Sequence, residues 1–280
     1  EGVMNFIQCE PVLAEKAIAD HRIKGISFTG SERVGWHLQE TFPRKQVILE
    51  LGGDAHCVLA EGCDWERAVS LVPASAFGYG GQVCISMQKL LVHESLYEVV
   101  KESLTAHVNC LSCGDPRKPE TLCGPMISLE EADRARFWIA EAVSKGAEVL
   151  AGGNGKERLV PPTLIENVPP GCQLAAEEAF APILCLSSFE SLEEAIARIN
   201  SSRFGIHASL FTSSASDAER FFNEVETQGA VINDVPSLRF DHLPYGGTKS
   251  SGRGREGIPF AMDEYTHLRT CVTRGSLPSR

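Results

Sequence analysis

The feature that most restricts the fold is a repeated switch between two hydrophobic periods. Ser128 to Glu131, Ser191 to Glu194 and Ser216 to Glu219 are Ser-x-x-Glu boxes, each ahead of an amphipathic run. In such a box the serine oxygen accepts a first-turn N–H and the glutamate reaches back, so each predicts a helix start. The first helix places Ala132, Ala135, Trp138, Ile139, Ala142 and Val143 on its apolar face, and Gly146 supplies its stop. The second carries Ala195, Ile196 and Ile199; the third carries Phe221, Phe222 and Val225. Strand-length apolar runs follow at 183–189, 208–211 and 230–232. A helix between successive strands carries the chain back to the same end of a sheet, which makes neighbouring strands parallel. The chain therefore reads as α/β with a mostly parallel sheet.

The alternation extends to the front. Apolar runs at 26–28 and 47–49 flank a helix over 34–40 that Pro43 ends, and residues 65–80 read as helical. Residues 244–257 are too glycine-rich for a regular element and read as either a flexible connector or an ordered functional loop. The chain has 280 residues, 43% hydrophobic and 22% charged, which excludes a disordered chain, a collagenous fibre and a transmembrane bundle. A net charge of −11 lacks the footprint of a nucleic-acid binder, so neither nucleic acid nor membrane is an expected partner. Ten scattered cysteines, several in apolar runs, fit free thiols in a reducing cytoplasm. Cys110 and Cys113 form one C-x-x-C without a second pair or a histidine at ligand spacing, so no metal site is expected. The chain opens Glu1-Gly2-Val3, without initiator Met or signal peptide, and reads as beginning partway through a longer protein.

Four segments carry candidate chemistry. Phe28-Thr29-Gly30-Ser31, with Gly35, is a glycine turn from a strand into a helix, where backbone N–H groups can hold a phosphate. An ordinary strand-to-helix turn has the same look, and the spacing is neither the dinucleotide fingerprint nor a P-loop. Leu49-Glu50-Leu51-Gly52-Gly53 sets a carboxylate at a strand end, as a general base tuned by burial or as the partner of a cation. Gly81-Gln82-Val83-Cys84 surrounds a thiol with small residues; it is a nucleophile if its pKa is lowered or a base is near, and otherwise a core cysteine. Glu177-Glu178-Ala179-Phe180 offers carboxylates for sugar hydroxyls, or a solvated acidic turn.

In this order and spacing the four segments resemble the aldehyde dehydrogenase superfamily. The resemblance continues through Gly124 to Ser128, Pro161 to Leu164, Phe204 to Thr212, the Asn233 region and Pro244 to Gly257, and it covers residues 3–273. The last of these segments and the residues around Cys84 look most like the lactaldehyde or glyceraldehyde-phosphate branch. The resemblance implies oxidation of an aldehyde to an acid with NAD or NADP. Cys84 would attack the carbonyl, its backbone N–H would help hold the oxyanion, and Glu50 would activate the water that hydrolyses the thioester. It implies Gly30, Ser31, Gly35 and Gly52 near the cofactor, Glu178 on the nicotinamide ribose and Phe180 beside it.

It also implies a division into a partial, Rossmann-like cofactor-binding domain (1–50), a catalytic domain (51–248), and a return segment (249–280) whose strand over 268–272 pairs with a partner subunit. A homodimer or homotetramer is expected, with the helix at 65–80 at the contact. Two positions depart from the family pattern: Asp54 where Lys or Asn is usual, and Lys89 where Arg is common. Family chains are longer at the N-terminus, where they carry the oxyanion asparagine and the lysine that meets the adenosine ribose. A chain without those groups has two other readings: a binding or oligomerising module without cofactor, or a thioester or ester hydrolase using Cys84 and Glu50.

Overall fold

The computed structural model describes residues 2–275. Its strands are β1 (Gly25–Thr29), β2 (Gln46–Glu50), β3 (His56–Leu59), β4 (Lys89–His93), β5 (Glu148–Ala151), β6 (Thr163–Glu166), β7 (Ile183–Phe189), β8 (His207–Phe211), β9 (Gly229–Ile232) and β10 (Gly252–Arg253). Its helices are α1 (Pro11–Ala19), α2 (Glu32–Thr41), α3 (Trp65–Phe77), α4 (Tyr97–Asn109), α5 (Leu129–Ser144), α6 (Gln173–Ala176), α7 (Leu192–Ser201), α8 (Ala215–Glu224) and α9 (Ile258–Tyr265).

Seven strands form one sheet in the order β5-β6-β7-β4-β3-β8-β9, parallel at every pair except β5 with β6. The expected mostly parallel α/β sheet is present. Its central strands are buried on both faces because successive side chains point to opposite sides. Leu90 and Val92 of β4 pack with Val69 and Val72 of α3 and Leu104 of α4, while Leu91 between them packs with Ile196 of α7 and Phe221 of α8. Ile165 and Ile183 extend that second face onto Ala135 and Ile139 of α5. The second sheet is small, in the order β1-β2-β10, with β10 antiparallel to β2. Its Ile26, Val47 and Leu49 pack on Leu38 of α2.

In two of the three predicted boxes the serine caps as read, although the glutamate does not return to the serine N–H: Glu131 takes Arg134 and Glu194 accepts from Glu190 N. Ser128 Oγ accepts from Glu131 N at 3.2 Å and Ser191 Oγ from Glu194 N at 3.3 Å. The third does not. Ser214, not Ser216, is the cap of α8, its Oγ accepting from Asp217 N at 3.2 Å. Two serines stood within one turn, and the one with extended backbone became the cap. Phe222 is then 68% exposed, because it lies 100° round the helix from the buried Phe221. Val143, next to buried Ala142 on α5, is exposed for the same reason. Over 268–272, where a strand pairing with a partner subunit is expected, the chain by itself has no regular structure at described residues 266–275, and Leu268 and Val272 stand in solvent. A strand needs a hydrogen-bonded neighbour, and among the described residues none lies beside it. Residues 244–257 are an ordered loop that ends by adding β10 to the small sheet.

The Ser128 cap predicts a modest, local effect. Ser128→Ala should lower stability by about 1 kcal/mol, read as a lower urea midpoint with an unchanged slope.

Candidate active site

Glu50 is the last residue of β2, held between Thr29 of β1 and Gly252 of β10. Its side chain is 5% exposed, and neither carboxylate oxygen has a hydrogen-bond partner among the described residues. A buried, unpaired carboxylate resists ionising. Burial raises the Glu50 pKa to about 8, the charge of Glu256 adds to the rise, and Arg255 and Arg239 oppose it. The loop at Gly246 covers it: a Cβ there would lie 3.0 Å from Glu50 Oε1.

Cys84 is placed by the tight turn that ends α3. Tyr79, Gly80 and Gly81 all take left-handed backbone angles, with φ of 53°, 66° and 68°. Gln82 locks the turn by donating to Tyr79 O at 3.0 Å and accepting from Ile127 N at 2.8 Å. Cys84 is half-buried, with Sγ 2.8 Å from the Tyr245 hydroxyl. Burial pushes its thiol pKa up and the charges of Glu178 and Glu50 add to that, while the Tyr245 hydrogen bond opposes it. The thiol is therefore not self-activated by a lowered pKa; it sits within reach of the fields of two carboxylates.

The residues between β2 and β3 join these parts. Gly53 lies against the Cys84 carbonyl, where a Cβ would come within 2.5 Å of that oxygen. Its N–H donates to Glu178 Oε1 at 2.9 Å. Gln88 Nε2 donates to Gly53 O at 2.8 Å, and Gln88 Oε1 accepts from Ala179 N at 2.6 Å. Gly52 faces the Glu178 carboxylate so closely that a side chain would displace it. Burial lifts the Glu178 pKa to about 7, against the Gly53 hydrogen bond and with the help of Asp54. Phe180 is 37% exposed with φ of 42°, and Glu177 pairs with Arg203.

Glu50, Cys84, Gly52 and Glu178 thus converge on one buried turn, residues 50–54. Gly30 touches the same place, its N–H donating to Glu50 O at 3.1 Å. Gly30 and Ser31 are exposed at the mouth of α2, and the Ser31 side chain makes no cap bond. Gly35 is different: it is buried inside α2, where a Cβ would strike Leu51, so it seats the helix on the turn.

The two departures from the family pattern are partners of each other. Lys89 Nζ donates to Asp54 Oδ2 at 2.8 Å, and Ser202 Oγ donates to the same oxygen at 2.9 Å. The parallel register of β3 on β4, His56 opposite Lys89, brings them together. Burial beside this pair drives the His56 pKa down to about 4, which keeps the ring neutral. Cys113 is in register with Cys123 rather than turned towards Cys110, and among the described residues no three His, Cys, Asp or Glu side chains cluster to hold a metal. Sequence reasoning missed Tyr245, Gln82 and Gln88. Tyr245 stood inside a quoted glycine-rich segment, and a buried aromatic there was the available signal; nothing local marks the glutamines.

Gly81 gives a sharp structural test. Its φ is left-handed, and a Cβ would overlap the Ala181 backbone carbonyl. Gly81→Ala should cost about 1–3 kcal/mol of stability and slow Cys84 alkylation, measured by urea unfolding and peptide mass spectrometry.

Residues 1–271 match the model of the aldehyde dehydrogenase family. The chain is 35% identical over 260 residues to a 3-sulfolactaldehyde dehydrogenase of Priestia aryabhattai, covering 93% of this chain and 54% of that protein. It is 34% identical over 261 residues to a lactaldehyde dehydrogenase of Methanococcus vannielii, covering 93% and 56%. The structure of aldehyde dehydrogenase 21 from Physcomitrella patens, solved with the reaction product succinate, matches with TM-score 0.88 and 38% identity over 91% of this chain and 53% of that one. A glyceraldehyde-3-phosphate dehydrogenase from Methanocaldococcus jannaschii, complexed with NADP, matches with TM-score 0.87 and 34% identity over 90% and 55%. The chain spans about half the length of the relatives it matches. With the family model, the relatives and the fold in agreement, this chain belongs to the aldehyde dehydrogenase family.

Proposed function

We propose that this chain carries the covalent chemistry of NAD(P)-linked oxidation of a small aldehyde to a carboxylic acid. The observation that carries the reading is the pairing of Cys84, a half-buried thiol in a glycine-lined turn, with Glu50, a buried carboxylate without a partner and with a pKa of about 8. A group that is part acid and part base near neutral pH can accept a proton and return it. The Cys84 thiol gives up its proton to solvent, the thiolate attacks the carbonyl, and the oxyanion takes up a proton to give a thiohemiacetal. After oxidation to the thioester, Glu50 takes a proton from water as that water attacks the acyl carbon. Thiolate leaves and the acid is released. The Cys84 backbone N–H is the proposed oxyanion donor.

When bound, NAD or NADP would supply the hydride acceptor. The residues present fit it. The first turn of α2 lacks a side-chain cap, so the N–H groups of Glu32 and Arg33 are open to a phosphate beside Gly30 and Ser31, with Gly35 seating the helix behind them. Glu178 lies across the same turn, with Gly52 letting the carboxylate close, and would hold the nicotinamide ribose, with the exposed Phe180 two residues on to cover the ring. The small sheet of β1, β2 and β10 is proposed as the back half of the cofactor domain, residues 51–248 as the catalytic domain, and 249–280 as the return segment. A second copy of the chain is the proposed partner, as a homodimer or homotetramer. Ten free thiols favour a reducing compartment such as the cytoplasm. Among the described residues, no helix is long and apolar enough to cross a membrane.

The test is reduction of NAD and of NADP by an aldehyde panel, run beside nitrophenyl ester hydrolysis and a cofactor titration. Aldehyde-dependent cofactor reduction supports the reading. Ester cleavage without cofactor binding replaces it with a hydrolase, and a folded dimer with neither activity replaces it with an oligomerising module.

A further inference from the structure

Tyr245 is 4% exposed, and its hydroxyl lies 2.8 Å from Cys84 Sγ, its only hydrogen-bond partner among the described residues. The ring is held on several sides. The Arg239 guanidinium stands 4.0 Å from its centroid, and the His207 ring meets it edge-on at 5.5 Å and 78°. Its backbone bridges Glu256, with Glu256 N donating to Tyr245 O at 2.6 Å. The hydroxyl therefore has one position, and that position is on the sulfur. In the neutral pair either group can donate. Once the thiol ionises only the hydroxyl can, and a hydrogen bond to a charged acceptor is the stronger kind.

Resting on the reading of Cys84 as the nucleophile, we propose that Tyr245 is a further catalytic residue whose hydroxyl donates to the Cys84 sulfur and holds it as the attacking thiolate. The surroundings make such a donor necessary. Burial disfavours the thiolate, and Glu50 at the end of β2 and Glu178 after α6 oppose it further as they ionise. No cation donates a hydrogen bond to the sulfur among the described residues. Arg239 pairs with Glu256 at 2.9 Å and stands over the tyrosine ring. A cation over the ring draws electron density from it and makes the O–H a better donor. His207, on β8, is kept neutral by burial and bonds Pro236 O at 2.8 Å, so it adds dipole rather than charge.

The experiment is the pH dependence of Cys84 alkylation by iodoacetamide, followed on the Cys84 peptide by mass spectrometry so that the nine other cysteines do not enter. Tyr245→Phe should move the midpoint up by about one pH unit, which is about tenfold slower alkylation below the midpoint, with the limiting rate at high pH unchanged. An unmoved midpoint, or one that moves down, overturns the proposal; the second result would mean that the hydroxyl mainly accepts from the thiol. Should Y245F lose its fold by circular dichroism, 3-fluorotyrosine placed at position 245 tests the same bond with opposite sign. Its more acidic hydroxyl should move the midpoint down, and no movement overturns the proposal. Alkylation needs neither aldehyde nor cofactor, so this result stands apart from success or failure of the dehydrogenase reading.

Discussion

Cys84→Ala should leave a folded protein that reduces no cofactor on any aldehyde and releases no burst of nitrophenolate from nitrophenyl acetate. The thiol is the one group in the converged turn that can form a covalent acyl bond, and a methyl group has no substitute for it. Loss of a nucleophile that works as one unit with a base costs about a millionfold in turnover. The fold should survive because Cys84 is only half-buried and its backbone is fixed by the turn, with Gly53 against its carbonyl and Gln82 bonded to Tyr79 and Ile127. The expected stability loss is about 1–3 kcal/mol, because the Tyr245 hydroxyl is left buried without a partner. Stopped-flow absorbance and intact mass after quenching read the two effects. A surviving burst and acyl adduct in C84A would move the nucleophile to one of the other nine thiols.

What the sequence made legible was mostly local. Capping at Ser128 and Ser191 involves groups three residues apart, so the boxes could be read directly. The strands 183–189 and 208–211 announce themselves because parallel strands covered on both faces are mostly apolar. The shorter strands were harder. β5 and β6 mix polar and apolar residues, and β3 and β4 are only four and five residues long, below the length at which a period can be told. Candidate site residues were legible through glycine: Gly52, Gly53 and Gly81 stand where backbone or carboxylate packs against a missing side chain. The contacts that make the site work were not legible. Tyr245 meets Cys84 across 161 residues and Gln88 joins Ala179 across 91, and only the assembled sheet brings such pairs together. The pairing of Asp54 with Lys89 is of the same kind. Each looked like an isolated departure until the β3–β4 register made them one ion pair, in which removing either charge would strand the other in a buried site.

Glu50→Gln should separate the two halves of the reaction. The variant keeps Cys84, so alkylation and the nitrophenolate burst remain, but the acyl-enzyme persists because no base activates water. Steady-state ester turnover should fall about a hundredfold to ten-thousandfold, the range for losing a positioned general base. The pH profile supplies the control. A base works in its ionised form, so turnover limited by deacylation should climb with pH and level off above the Glu50 pKa of about 8, and E50Q should lack that step. Stability must move the other way. The folded state holds a proton on Glu50 up to about pH 8, while the unfolded chain releases it near the ordinary value of 4.5. Wild type therefore loses stability as pH rises through that window, and a neutral amide does not. E50Q should melt progressively above wild type between those two pH values, with the difference constant beyond them. A buried carboxylate kept without a partner costs the fold stability, which is the cost the proposed base role of Glu50 would justify. Normal deacylation in E50Q, or a melting difference that ignores pH, would remove Glu50 from the mechanism.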